Sequence, residues 1–244
     1  MSISTELTTL STNITNAYNA IQEKGGTIPT NKNTENLATA INSISTGGSS
    51  SYEEDLINII SNRSVMTSIN LPEGITSIGN SALCECPNLA LTSLPNGITS
   101  IDYNAFYNCY NLALTSLPSE LTSIGTYAFS NCRSLALISL PSKLTSIGAY
   151  AFRGCTNLAL TSLPSKLTSI GYQAFYNCTG LTSLRIDSRI KTIDNSSFNG
   201  CTNLTTIYIN LPRATVEAMK GYSTKWGATN ATIICNDDTE WVEA

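Results

Sequence analysis

Between residues 71 and 208 the apolar positions recur every 23 residues without a gap. The copy at 140–162 reads LPSKLTSIGAYAFRGCTNLALTS; the copies at 117–139 and 163–185 read LPSELTSIGTYAFSNCRSLALIS and LPSKLTSIGYQAFYNCTGLTSLR. Two copies precede these, at 71–93 and 94–116, and a drifted one, IDSRIKTIDNSSFNGCTNLTTIY, follows at 186–208. Half-copies flank the array, Met66 to Pro72 before it and Ile209 to Pro212 after it. A single 23-residue coil cannot bury its apolar side, so the pattern predicts a stack of coils whose equivalent residues form ladders. Stretches such as Leu167-Thr168-Ser169-Ile170 predict short strands, stacked in parallel at about 4.8 Å. Ala151, Phe152 and Cys155 stand at i, i+1 and i+4, the spacing of one turn of helix or 3₁₀ helix with one face inward.

Outside the array the period changes. Leu7, Leu10, Ile14, Ala17 and Ile21 predict a helix over 4–24, ended by Gly25-Gly26. Thr34 caps a second helix with Leu37, Ala40, Ile41 and Ile44 inward. Neither helix carries enough apolar surface to stand alone. Residues 1–44 therefore read as a helical attachment or oligomerisation module, a hairpin or coiled-coil-like stalk. Residues 45–51 (STGGSSS) read as a flexible linker. Residues 52–70 form the N-terminal cap, with a short amphipathic helix over Glu53 to Ser61. Residues 209–244 form the C-terminal cap: a helix from Thr215 to Gly221 with Val216 and Met219 inward, Trp226 over the last coil, and a final strand from Ala231 to Cys235.

The period falls in the leucine-rich repeat range, and the motif Leu-Thr-Ser-Ile-Gly-x-x-Ala-Phe-x-x-Cys resembles the BspA-type leucine-rich repeat family over about residues 65–235. Copy one departs from it, with Leu83 in place of the Phe. The expected fold is thus an α/β solenoid of leucine-rich repeats: 23-residue coils, parallel β ladders and a short helical N-terminal module. The resemblance implies extracellular or surface-associated adhesion in bacteria, with no shared active site and no particular ligand. Residues 25–44 are similar to short N-terminal modules of phage and prophage tail-associated proteins, in which a small helical module joins a receptor-binding domain.

One junction pattern is unusual. Met66-Ile69-Leu71, Leu181-Leu184-Ile186 and Leu204-Ile207-Ile209 follow Leu-x-x-Leu/Ile-x-Leu/Ile. The four middle junctions read Leu-Ala-Leu-x-Ser-Leu-Pro instead, as at Leu158-Ala159-Leu160-Thr161-Ser162-Leu163. Neighbours on a strand face opposite sides. Leu91, Leu114, Leu137 and Leu160 therefore either form an exposed row or are turned inward by a local bend. The bend is favoured, since exposing a row of leucines is costly.

Composition narrows the chemistry. The chain has no histidine, which removes Ser-His-Asp and Cys-His catalysis and the commonest metal ligand. The acids of the repeats, Glu73, Glu85, Asp102, Glu120, Asp187 and Asp194, occupy scattered offsets, and no phosphate-binding glycine loop is present. An enzyme is not expected, nor a cofactor or metal. Cys84-Glu85-Cys86 is too thin for a metal site. Cys86, Cys109, Cys132, Cys155, Cys178 and Cys201 recur one coil apart, with parallel Cβ vectors that suit disulfide geometry poorly, so they read as small buried hydrophobes.

The variable places carry the binding candidates. At the tenth and eleventh stand Tyr103, Tyr127, Tyr150 and Tyr172, and at the fourteenth Tyr107 and Tyr176. A Tyr-, Ser- and Asn-rich surface varied on a fixed frame resembles antibody binding loops, and stacked tyrosines suit carbohydrate faces; unselected variation on a solvated face is the competing account. Lys143, Lys166 and Arg189 share the fourth place and form a basic row suited to an anionic glycan, or else solvated edge charges. The net charge of −4 hides a local excess of six positive charges over residues 133–213. The overall acidic balance and the lack of a known motif argue against nucleic acid.

No apolar run is long enough for a membrane span, and the opening Met-Ser-Ile-Ser-Thr has no signal-peptide character. The expectation is a non-catalytic binding protein, made in the cytoplasm and displayed on a virion tail or extracellular surface. It would recognise a cell-surface glycan or protein, as a phage or prophage tail-associated receptor-binding protein. Its other partner would be a second copy or a tail assembly, through residues 1–44. The alternatives are a BspA-type surface adhesin and an intracellular protein-interaction scaffold.

Overall fold

A computed structural model describes residues 63–241, apart from 70, 72 and 73. The helices expected within 4–24 and 34–44, the linker at 45–51 and the cap helix at 53–61 lie outside the described residues. The rest is a parallel β-solenoid with one 23-residue coil per repeat. One sheet stacks β1 (Ser77–Ile78), β2 (Ser100–Ile101), β3 (Ser123–Ile124), β4 (Ser146–Ile147), β5 (Ser169–Ile170) and β7 (Thr192–Ile193) in that order. A second stacks β6 (Ser183–Ile186), β8 (Thr206–Ile209) and β9 (Thr232–Cys235). Register partners in the first sheet are equivalent residues of successive copies, as in Ser123↔Ser146 and Ile124↔Ile147.

That register turns each repeated apolar place into a buried ladder. Ile78, Ile101, Ile124, Ile147, Ile170 and Ile193 line one side, and Leu89, Leu112, Leu135, Leu158, Leu181 and Leu204 another. Between them Phe106, Phe129, Phe152, Phe175 and Phe198 stack face on face, with centroids 5.4–5.5 Å apart and planes within 6°. On the outer edge of the first sheet, Thr99, Thr122, Thr145 and Thr168 each donate their hydroxyl to the carbonyl of the preceding threonine at 3.0–3.2 Å. The coils approach so closely that a Cβ on Gly148 would meet the Gly125 carbonyl carbon at 2.6 Å. Glycine is needed there for space.

The Ala-Phe-x-x-Cys segment is not the helical turn its spacing suggests. Its amides alternate. In copy three, Ala128 and Ser130 donate to Gly125 and Tyr127, closing tight turns, while Tyr127, Phe129 and Asn131 donate forward to Ala149, Ala151 and Arg153 of the next coil. A helix would commit every amide to its own segment and leave the neighbouring coil unbound. The zigzag needs left-handed backbone at two places per coil. Tyr127 has φ 58° and Asn131 φ 63°.

The junction leucines turn inward, as the bend reading expected. Leu114, Leu137 and Leu160 are buried and Leu91 is half-buried. Two consecutive exposed residues follow each, as at Thr161 and Ser162, whereas before β6 the outward step comes earlier, at Thr182. This displaced step prevents a strand. Amide donation between middle junctions runs Ala113 to Leu91, Ala136 to Leu114 and Ala159 to Leu137, and the second sheet begins only at β6.

Both described ends are covered. Arg63 donates to the carbonyls of Ser81, Ala82 and Cys84, closing the first coil. At the other end α1 spans Arg213–Glu217, two residues earlier than its sequence pattern suggests, because Pro212 (φ −60°) sets the entry and accepts the amides of Thr215 and Val216. Val216 is buried and Met219 packs against the core. Trp226 is fully buried, takes the Phe198 amide on its carbonyl, and donates its indole N–H to Lys220. Arg213 clamps this cap through both oxygens of Asp238. The final strand starts at Thr232, one residue later than expected.

If the phenylalanine stack is the core, Phe152→Ala should lower unfolding free energy by about 3–5 kcal/mol. Urea denaturation checks this; a change under about 1 kcal/mol would contradict it.

Candidate functional site

The left-handed residue at the eleventh place aims the side chains around it outward along the turn side of the solenoid. Every copy has positive φ there: Ser81, Asn104, Tyr127, Tyr150, Gln173 and Ser196, between 51° and 60°. Asparagine tolerates this conformation, whereas a bulky residue costs roughly 1–2 kcal/mol. Tyr127 and Tyr150 are such residues. Their rings stack at 4.4 Å with planes 1° apart. Tyr103 meets Tyr127 edge-on at 6.3 Å, Tyr107 does so at 6.1 Å, and Tyr172 meets Tyr150 at 5.4 Å. Five tyrosines thus form one aromatic row across four coils, with Tyr103 49% and Tyr172 39% exposed at its ends.

Arg153, not among the sequence candidates, joins Tyr176 to this row. Its guanidinium carbon lies 5.9 Å from the Tyr150 ring centre and 5.4 Å from that of Tyr176. Burial and the neighbouring Tyr150 push the Tyr127 phenol above its ordinary value. Beneath the row Ser130, at the fourteenth place between Tyr107 and Arg153, is fully buried, and its hydroxyl has no partner.

One member of the basic row is paired within the fold. Lys143 pairs with Glu120 at 2.5 Å, the residue at the same place one coil earlier, and both are about half exposed. Lys166 and Arg189 are exposed, with no ion pair among the described residues. An exposed pair of this kind contributes little to stability.

The five cysteines from Cys109 to Cys201 belong to the core. Cys109, Cys132, Cys155, Cys178 and Cys201 each donate Sγ–H to a backbone carbonyl in the preceding coil, at 2.9–3.1 Å. The thiol therefore fills a core place and satisfies an acceptor. Burial raises Cys132, Cys155 and Cys178 well above the ordinary thiol range and pushes Cys201 up to about 12. No three His, Cys, Asp or Glu side chains gather as a metal set among the described residues. No helix there is long and apolar enough to cross a membrane.

A coil with this Phe and Cys spacing matches the BspA type leucine rich repeat region, six copies of which are found over residues 58–155 and 122–224. The chain belongs to this family. The solved leucine rich repeat protein of T. pallidum is 26% identical, aligned over 69% of this chain and 86% of its own, with a TM-score of 0.54. A leucine rich cell surface protein from Faecalibacterium prausnitzii A2-165 is 27% identical over 58% of this chain and 46% of its own, at a TM-score of 0.45. No curated protein matches the chain. BspA-type repeats are binding modules, and no enzymatic family is indicated.

Two consequences are measurable. A thiol held neutral in the fold and ionised in the unfolded chain stabilises the fold below about pH 9 and loses that contribution as pH rises towards 12. For Cys201→Ala, the fall of unfolding free energy between pH 9 and 11 should be shallower by up to about 1.4 kcal/mol per pH unit. An unchanged slope in pH-dependent denaturation would refute the shift. Secondly, Tyr127→Asn with Tyr150→Asn should leave stability within about 1 kcal/mol of the parent, because relieved strain offsets the lost ring contact. A loss above about 2 kcal/mol would show that the tyrosines hold the fold.

Proposed function

We propose that this chain is a non-catalytic recognition protein whose tyrosine row binds a cell-surface glycan or protein. One observation carries the reading: Tyr127 and Tyr150, stacked on each other, occupy backbone positions that disfavour them and that Asn104 fills without strain one coil earlier. Local strain retained on an exposed face is a mark of function. The buried Ser130 hydroxyl, without a hydrogen-bond partner among the described residues, is a second unfavourable feature of the same coil as Tyr127. The row is rigid and amphipathic, with apolar ring faces for sugar C–H groups or side chains and phenols at their tips. Arg153 adds one cation held over two rings.

Family membership supports display on a bacterial surface, where such a face acts as an adhesin. The tail-associated setting rests on residues 1–44 alone. There the same face would bind a host receptor, and the N-terminal residues would join the chain to a tail or to a second copy.

A glycan array and whole-cell binding assay with the labelled full chain tests the face. Selective binding is expected, weakened at least about tenfold by Tyr127→Asn with Tyr150→Asn, the effect of losing one or two aromatic anchors. Equal binding by parent and variant would move recognition elsewhere on the coil. No binding to any glycan or cell would remove the reading.

A further inference from the structure

A second cluster sits where the other sheet emerges. Arg185 on β6 and Tyr208 on β8 are register partners, and both side chains are half-buried. Trp241 joins them from the C-terminal segment. The Arg185 guanidinium carbon lies 4.9 Å from the Tyr208 ring centre and 5.1 Å from that of Trp241, while the two rings meet at 6.4 Å. The cation therefore rests over the join of two aromatic rings. It makes no ion pair among the described residues, although Asp187 stands two places along the chain.

A cleft of about 460 Å³ opens at this cluster, lined by Ser162, Arg185, Asp187, Asn210 and Trp241 among others. The place of Arg185 is serine in the four preceding copies, at Ser93, Ser116, Ser139 and Ser162; the displaced junction step leaves these copies without a strand of the second sheet, and only Ser162 meets it, through a single parallel bridge to Arg185. The polar groups are of complementary kinds. Arg185 offers a planar set of N–H donors fixed by stacking, which matches a carboxylate. Asp187 accepts, and one of its oxygens already takes the Ser188 hydroxyl. Asn210 accepts from Asn236 on its oxygen, which leaves its own amide hydrogens to donate. Trp241 is half-exposed and offers an apolar ring.

We propose that this cleft is a second binding site, for an acidic sugar residue. The carboxylate lies on Arg185, the apolar side of the pyranose against Trp241, and the ring hydroxyls on Asp187 and Asn210. A uronate carries a carboxylate, hydroxyls that both donate and accept, and a C–H face in one small unit. A peptide C-terminus supplies the carboxylate without the hydroxyls. The volume suits a short saccharide. The site is independent of the tyrosine row.

The protein holds its own reporter. Of its two tryptophans, Trp226 is fully buried and Trp241 lines the cleft, so a ligand-induced fluorescence change reports Trp241. Titration of the full chain with methyl glucuronide should give a saturable change, with methyl glucoside at least about tenfold weaker. Arg185→Gln should abolish the preference, and Tyr127→Asn with Tyr150→Asn should leave it intact. Because Arg185→Gln also removes the contact with two rings, Asn210→Asp provides a second variant. Its added carboxylate should weaken the glucuronide at least about tenfold while sparing the glucoside. The proposal is overturned if no saturable change occurs, if both sugars bind alike, if Asn210→Asp affects them equally or not at all, or if acetyl-Ala-Ala binds while the glucuronide is silent.

Discussion

Along the turn side of each coil, every second amide donates to the next coil and the amides between them close turns within their own. This alternation leaves few choices to the residues around it. It fixes the stacking distance, so the phenylalanines meet face to face and the cysteines reach a carbonyl one coil back. It demands left-handed backbone at the eleventh and fifteenth places, which explains Asn108, Asn131, Gly154, Asn177 and Gly200 at the latter. It also aims the eleventh side chain outward. The tyrosine row is thus built on the most constrained part of the backbone, which holds its rings in fixed positions.

Most of the fold could be read from the sequence because a ladder repeats its own signal. Six occurrences of Phe or Leu at one offset and Cys at another leave no doubt about which residues face inward, and burial follows that pattern from Leu83 to Cys201. The local conformation was less legible. Apolar residues at i, i+1 and i+4 fit a helical turn and a zigzag equally, and only the neighbouring coil's need for donors distinguishes the two. The displaced junction leucine was legible as an anomaly, and its resolution by a bend follows from burial. Its further effect, the loss of strands at the middle junctions, depends on inter-coil register.

The candidate site was legible in outline. Variable tyrosines on a fixed frame pointed to the turn side of the coil, but the positive φ of Tyr127 and Tyr150 and the stacking of their rings depend on how neighbouring coils register. Arg153 lay in plain view at the fourteenth place. The Arg185 cluster had a signal too. Its place is serine in copies one to four, then Arg185 and Tyr208, a change of character where the β6 pattern returns. Trp241 carried none, since its approach depends on how the C-terminal cap folds back. In the basic row Glu120 precedes Lys143 at the same place, and only their contact makes the pair visible.

The direction of the turn-side amides gives the two ends different chemistry. Carbonyls face outward at the first coil, where Arg63 covers them, and amides face outward at the last, where the Trp226 carbonyl receives Phe198. One end therefore presents what the other lacks. Arg63 and the Trp226 cap stand, at the two described ends, where a further coil would supply its own donors and acceptors.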